Sequence, residues 1–401
     1  MTDGPNDAAQ RFLHEHGLWS ETECLAEIGT LRINAVRLFD QQGALRAWGL
    51  SRAKTELAPT VALSEAIEHF VVHGRHDGLL PGSVCVDGSN VGPAGDDVHG
   101  DRLMAWLRRA SEGTTVECRP FRRLAGLGPD RAALPRTLVE LSHWRGLPVG
   151  DPLLPFARYG SSTGWSVEVT ERRAILRGAM EIIERDTFSR FLLALYLRRP
   201  YPCAYLPLAA APPTVADNVA AANDYLGGSL TVLDLGRRNG VHVCLASMVD
   251  ETVAGRIVGK GSAPDPWVAS ERAVGELCQI YAVKRSGWIA SDDEGHLERL
   301  RRVAPRFQCV YDIRLCPGEL GFTVDERVPN GIGVVDRETW LTELLERTAR
   351  PVYAMVAELV PGALVAAAVY VPGADRFFLS EHGIEVAPTG DDPLQPELEM
   401  A

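Results

Sequence analysis

Three stretches of this chain place acidic or amide side chains three residues apart inside an otherwise apolar run: Glu65 and Glu68, Glu181 and Glu184, Glu276 and Gln279. The first pair sits among Ala62, Leu63, Ala66 and Ile67, the second among Ile175, Leu176, Met180, Ile182 and Ile183, the third among Ala273, Val274, Leu277 and Ile280. Side chains three apart project from one helix face, so each run aims two oxygen ligands the same way. An unpaired carboxylate buried in such surroundings is costly or shifts its pKa until it is neutral. A divalent cation removes that penalty, and a hard ion such as Mg²⁺ takes carboxylate oxygens together with nucleotide phosphates. One Glu pair on a helix usually faces water. Three pairs, each walled in by apolar residues, do not suit a solvated face.

Other candidate ligands are fewer. Residues 258–262, Val-Gly-Lys-Gly-Ser, suggest a phosphate loop, but Gly255 and Gly259 are too close together and Lys260 is followed by Gly, so the GxxxxGK[ST] pattern fails. A Gly-rich loop feeding a helix N-terminus could still cradle a phosphate with backbone N–H groups. His69, His73 and His76 follow Glu68 at helical spacing and make a candidate metal set with Glu65. Against that set, the other two Glu-bearing runs carry no histidine. Eight cysteines are scattered without a CxxC pair, so neither a zinc ribbon nor a redox dithiol is signalled, and reduced, mostly buried thiols are expected.

The elements that must position these groups alternate between helix and strand. Residues 1–20 are polar and expected to be partly ordered, followed by a short helix from Ser20 through Ile28 on a capping-box-like Ser-Glu-Thr-Glu start. Strands are predicted at 34–39 and 44–48 around a turn at 40–43, then the first Glu-bearing helix at 58–73, stopped by Gly74. A loop region at 81–100 encloses a short strand at 83–86, and a helix at 103–110 leads to a strand at 114–118. The second Glu-bearing helix is predicted at 171–198 with Thr170 as its N-cap and Pro200 as its stop. Strands at 230–235 and 241–247 and a Gly/Pro loop at 259–266 precede the third Glu-bearing helix, and a surface helix starts within 290–300. The chain returns to strands at 351–356 and 363–371. The expected class is α+β (mixed α/β), with one domain over 21–390 and an acidic, Pro-containing tail at 391–401.

A net charge of -12 argues against a general nucleic-acid binder, since a polyanion would be repelled outside any local basic patch. The basic clusters at 102–109, 119–123 and 198–199 read as solvated arginine faces. The N-terminus lacks the basic start and apolar stretch of a signal peptide, and no segment reaches the ~18 continuous apolar residues of a membrane span. A cytoplasmic protein with no membrane or nucleic-acid partner is expected.

The same residues resemble the YcaO family over nearly the whole chain. The resemblance is carried by residues 62–68, by Ser162-Thr-Gly164 leading to Glu181-Ile-Ile-Glu184-Arg185-Asp186, by Gly259-Lys-Gly261 with Asp265-Pro266, and by Arg272 through Gln279. Val371-Pro-Gly373 followed by Phe377 is similar to the family's C-terminal strand region. The resemblance implies an ATP site without a P-loop, in which Glu65, Glu68, Glu181, Glu184, Glu276 and Gln279 hold Mg²⁺. It makes Glu181, Glu184 and Arg185 the catalytic set, with Lys54, Arg185, Ser162 and Arg272 toward the nucleotide.

The activity so implied is activation of a peptide backbone amide: a nucleophile adds to the carbonyl and the oxygen is phosphorylated by ATP and lost as phosphate. A neighbouring Cys, Ser or Thr gives an azoline, sulfide a thioamide, an amine an amidine. The implied partners are a precursor peptide and a leader-binding or TfuA-like protein, and a homodimer is compatible with the resemblance. This chain departs from the pattern at Val61, where relatives usually have Ser, at Ser51-Arg-Ala-Lys54 in place of GKG, and at Arg172 and Arg173, where many relatives are acidic. It also lacks the PxPxP tail of typical azoline-forming members, which leaves thioamide or amidine formation more open. Two other readings follow: a non-catalytic subunit binding leader peptide or a partner, motivated by those departures, and a His/Glu metallohydrolase centred on Glu65, His69 and His73.

Overall fold

Residues 18–54 pair as a three-stranded antiparallel sheet, β1 (Leu18–Ile28), β2 (Leu31–Asp40) and β3 (Leu45–Lys54). The computed structural model describes residues 4–390 apart from 55, 74–77, 94–100, 127, 249–256, 289–297, 299, 303–304, 314, 316–317, 319, 330–338 and 340–349. The helix expected from Ser20 through Ile28 is instead most of β1, in register with β2 from Leu18 opposite Asp40 to Ile28 opposite Leu31. Gly29, at φ 55°, makes the tight turn between the two strands, and the pairing it permits outweighs the local capping signal. The turn at 40–43 forms as expected, with the Asp40 carboxylate accepting the N–H groups of Gln42 and Ala44 at 3.0 and 2.8 Å.

The polar N-terminal stretch holds a helix, α1 (Pro5–Glu15), whose Ala8, Ala9, Phe12 and Leu13 are buried. The Phe12 ring meets Phe70 edge-on at 6.1 Å, which ties α1 to α2 (Ala58–Val72). Spaced polar residues hid this one-sided apolar face, and the partly ordered segment expected there is corrected accordingly.

Seven strands make the largest sheet: β4 (Val84–Asp87), β5 (Gly92–Pro93), β6 (Thr115–Ala125), β7 (Arg131–Pro135), β8 (Trp165–Glu168), β14 (Val352–Val360) and β15 (Leu364–Tyr370). Their order is β5-β7-β6-β14-β15-β8, with β4 also on β6. A third sheet runs β12 (Gly259–Ala263), β11 (Val241–Met248), β10 (Leu230–Arg238), β9 (Ala204–Tyr205) and β13 (Asp325–Glu326), antiparallel except for β13 against β9. The remaining helices among the described residues are α3 (Arg102–Ser111), the four-residue α4 (Arg136–Val139), α5 (Glu171–Tyr196), α6 (Pro213–Leu226), α7 (Pro266–Ser286) and the four-residue α8 (Gln308–Tyr311). The class is α+β, as the alternation of elements implied.

Residues 259–263, expected as loop, are the buried strand β12 on the edge of the third sheet, pairing with β11 from Gly259 opposite Ala246 to Ala263 opposite His242. Its glycines mark helix contact. A Cβ on Gly259 would stand 2.1 Å from the carbonyl oxygen of Ala273, and one on Gly261 2.3 Å from that of Ala269, so α7 lies directly on the backbone of β12. The same device recurs under the other acidic helices. Gly49 in β3 faces α2, with 2.4 Å from its would-be Cβ to the Ala62 oxygen, and Gly178 in α5 faces the Gly164 carbonyl at 2.3 Å. All three acidic helices therefore rest on neighbouring backbone at positions where any larger side chain would push them away.

All seven described cysteines are free; Cys118, Cys244 and Cys278 are buried, but Cys24, Cys85 and Cys309 are exposed, fewer buried thiols than expected. Gly74, His76 and the tail 391–401 lie outside the described residues, as does most of the expected helix start at 290–300.

Candidate active site

The three acidic helices bring their pairs into one electrostatic neighbourhood. Glu65 and Glu68 stand on α2, Glu181, Glu184 and Arg185 on α5, and Glu276 and Gln279 on α7. Glu68, Glu184 and Gln279 are buried, at 7%, 8% and 6% exposure. Two of the helices are seated on a neighbouring strand or turn beside their acids: α2 packs on Gly49 of β3 next to Glu65, and α5 on the Gly164 carbonyl before β8 through Gly178. Arg52 in β3 closes on the third pair, donating from Nη1 to Gln279 Oε1 at 2.9 Å and from Nη2 toward Glu276 Oε2 at 3.0 Å.

Burial drives the carboxyl groups toward the neutral form. It pushes Glu68 well above the ordinary glutamate value, with Glu181, Glu65 and Glu168 adding repulsion and Arg177 opposing. It raises Glu65 as well, against His69, Arg177 and Arg52. Burial and then repulsion by Glu184 carry Glu181 up to about 7, against the pull of Arg185, Arg177 and the Gly164 N–H. For Arg185, burial works against the charge but is outweighed by Glu184, Glu181, Glu276 and Glu381, so its guanidinium is held more firmly protonated than usual. Its Nε lies 3.8 Å from Glu181 Oε1 and makes no hydrogen bond among the described residues, and its guanidinium sits 5.7 Å from the Phe378 ring centre.

These shifts fix a pH dependence. Glu181 has a pKa of about 7 in the fold and the ordinary, lower value in the unfolded chain. Between the two values the folded chain holds a proton that the unfolded chain has lost, so stability falls as pH rises toward about 7 and levels above it. Glu65 and Glu68 act in the same direction. Glu181→Gln removes one such group. In chelator, the wild-type melting temperature relative to that of the variant is expected to drop by at least ~2 °C from about pH 5 to pH 7. Parallel melting curves would show that Glu181 ionises normally.

Sequence-predicted residues differ in placement. Lys54 ends β3 opposite Leu31 and is exposed, whereas Arg52, two residues earlier on the same strand face, meets α7. Ser162 lies on the turn before β8, its carbonyl accepting the Trp165 N–H at 2.9 Å; its neighbour Thr163 lines a small cavity with Arg185, Tyr370 and Phe378. Arg272 donates to the carbonyl of Ser262, fastening α7 to β12. Val61 is half-buried, and Arg172 and Arg173 are exposed.

The histidine reading is corrected. His69 Nδ1 is bonded to the Trp48 carbonyl at 2.6 Å and its ring abuts the Trp48 ring, while His73 Nδ1 meets Ser142 Oγ at 3.2 Å. Both rings serve to pack α2, and among the described residues no three His, Cys, Asp or Glu side chains converge closely enough to hold a metal unaided. The phosphate-loop reading fails as well, because the backbone of residues 259–263 pairs with β11. Lys260 is 5% exposed, bonds both Glu381 oxygens at 3.0 and 3.1 Å and lies 4.9 Å from the Phe188 ring centre.

Arg177, Glu168 and Glu381 were not singled out from sequence, and Arg52 and Lys260 entered only as members of motif segments, without a site role. Arg177 had a signal, lying one helical turn before Glu181 on the same face. Arg52 had one too, in the strand alternation with Lys54. Glu381 had none, since only the fold brings it to Arg185 and Lys260.

The family described as YcaO cyclodehydratase, ATP- and Mg²⁺-binding, matches residues 52–375. The chain belongs to the YcaO family. Its fold is shared by YcaO from Methanopyrus kandleri bound with AMPPCP and Mg²⁺, with a TM-score of 0.61 at 19% identity over 96% of this chain and 95% of that one. The Escherichia coli microcin synthetase McbBCD complex with pro-MccB17 bound gives 0.60 at 14% identity, over 89% and 88% of the two chains. A heterocyclase in complex with substrate and cofactor gives 0.56 at 18% identity, over 93% of this chain and 52% of that one. Among curated proteins none matches in sequence.

ATP and Mg²⁺ are the ligands of this YcaO family, and the residues present fit them on two counts. Burial pushes Glu65, Glu68 and Glu181 toward the neutral form despite Arg52, Arg177 and Arg185, a cost that a divalent cation beside them would relieve. The unpaired Arg185 Nε offers a donor to an anion. Mg²⁺ commonly uses one or two carboxylates and completes its shell with phosphate and water, so no all-protein cage is required.

Proposed function

We propose that this YcaO protein is an enzyme that activates a backbone amide of a peptide at the expense of ATP, with its nucleotide site between α2, α5 and α7. The observation that carries this reading is the gathering of buried acidic side chains from α2 and α5, with the Glu276–Gln279 pair of α7 beside them, around an arginine with an open donor. ATP supplies the phosphoryl group that makes the amide oxygen a leaving group, and Mg²⁺ neutralises the triphosphate.

The protein's part is positioning and electrostatics. Glu68, Glu181 and Glu184 are the metal-facing carboxylates, with Glu65 and the Glu276–Gln279 pair completing the acidic wall. Arg185 presents a planar fork suited to a phosphate, steadied by the Phe378 ring. Arg52 is held by Glu276 and Gln279 and can release one of them to a metal while keeping the other. The substrate is a ribosomally made precursor peptide, presented with or without a leader-binding partner, and the attacking group is a side-chain nucleophile, sulfide or an amine.

Titration calorimetry with a non-hydrolysable ATP analogue tests the nucleotide half of this reading. Saturable binding that disappears when Mg²⁺ is chelated is the expected result. No binding with Mg²⁺ present would favour a subunit that serves only to hold peptide or partner.

A further inference from the structure

Lys260 is a buried cation for which the nucleotide reading has no use. It stands on β12, and both oxygens of Glu381 accept its ammonium, at 3.0 and 3.1 Å. The same ammonium lies 4.9 Å from the ring centre of Phe188, a fully buried residue on α5 one turn beyond Arg185. Glu381 belongs to a short 3₁₀ turn, Phe377–His382, in which side chains three apart lie one above the other. Phe378 and Glu381 therefore point to the same side. Phe378 supplies the ring that meets the Arg185 guanidinium at 5.7 Å, so the residue gripped by Lys260 sits directly beside the one that touches Arg185. The turn is also clasped to α5 next to that arginine: the Asp375 N–H donates to Asp186 Oδ1 and the Phe378 N–H to Ser189 Oγ, each at 2.9 Å. Against burial, Lys260 and then His382 hold the Glu381 carboxyl below the usual range, with Arg185 acting in the same direction.

Resting on the nucleotide reading above, we infer that Lys260 is a positioning residue for Arg185: by gripping Glu381 it fixes the 377–382 turn between β12 and α5, and the turn holds the guanidinium in the pose that leaves its Nε for a phosphate. Glu181 and Glu184 draw the guanidinium along its own helix, whereas Phe378 and Glu381 hold it from outside. Lys260 acts on that hold in two ways. It fixes where the Glu381 carboxylate stands, and its charge balances that carboxylate, so that Glu381 does not cancel the arginine's attraction for an anion. A long side chain aimed in advance also loses less freedom when its ligand arrives.

The paired variant Lys260→Met/Glu381→Leu removes the ion pair as a unit. Local net charge is unchanged, and a fold commonly tolerates apolar replacement of a buried ion pair. Two measurements on the full chain then separate positioning from general damage. The Arg185 Nε–Hε resonance, identified by its disappearance in Arg185→Lys, reports the pose of the guanidinium with no nucleotide present. In the paired variant it is expected to move to the position of a free arginine, and affinity for a non-hydrolysable ATP analogue with Mg²⁺ to fall about tenfold. An unmoved resonance would overturn the role of Lys260 whatever the affinity does, because any loss would then come from the fold alone. A moved resonance with unchanged affinity would overturn it as well and leave the nucleotide site standing. Should the paired variant not fold, Glu381→Gln, which keeps an oxygen for the lysine but no charge toward Arg185, takes its place with the same outcomes. A wild type that binds no analogue with Mg²⁺ would remove the nucleotide reading itself, and this inference with it.

Discussion

Glu181→Gln and Glu184→Gln are expected to fold and to lose ATP turnover by at least about a hundredfold, the scale on which one electrostatic contact to a charged transition state is felt. The amide keeps the shape of the side chain and discards its charge. For Glu181 the fold should not suffer, because burial and Glu184 already hold its carboxyl halfway to neutral near pH 7, at a pKa of about 7. Glu184 lies beside Arg185 at 8% exposure, so its replacement leaves that guanidinium with Glu181, Glu276 and Glu381 as remaining partners. Phosphate release measured beside thermal melts checks both halves. Undiminished turnover in the two folded variants would mean that these groups do not face the reacting phosphate.

Gly259→Ala is expected to destabilise the chain by about 3 kcal/mol, at the upper end of what over-packing usually costs. The added methyl would stand 2.1 Å from the Ala273 oxygen and 2.4 Å from the Leu277 nitrogen, and both are backbone atoms of α7 that cannot rotate aside. The helix must move away from β12 as a body, carrying Glu276 and Gln279 with it, so nucleotide affinity should weaken along with stability. Gly82→Ala is the control: nothing lies within 4 Å of its would-be Cβ, and its expected effect is close to zero. Denaturant unfolding of the two variants separates them, and a Gly259→Ala chain as stable as Gly82→Ala would show that α7 does not rest on β12 as described.

The acidic helices were legible because their signals are local. The apolar setting of Glu65 and Glu181 and the Thr170 cap place α2 and α5 within a few residues of their observed ends, and the loop before the third acidic run places the start of α7. Thr170 does accept the Arg173 N–H, at 3.3 Å. What sequence reading lost was set by partners distant in the chain. Residues 20–28 have a respectable helix start, but β2 supplies a full ladder that a free helix could not match. Residues 259–263 look like loop because Gly and Ser lack side chains to pack, and that lack is what admits α7. The site divides in the same way: Arg177 and Arg52 follow helix and strand periodicity, whereas Glu381 reaches Arg185 through tertiary folding alone.

The contacts of Arg52 with Gln279 and Glu276 bear on how the site meets its ligand. Both members of the third pair are held by a strand side chain outside their own helix, so their rotamers are chosen during folding. Ligand capture then requires little rearrangement, and the ordering entropy that a looser pocket would lose at each binding event has been spent in advance. Such a pocket is preorganised: it should close on its ligand quickly and with small changes in backbone hydrogen exchange along β3 and α7.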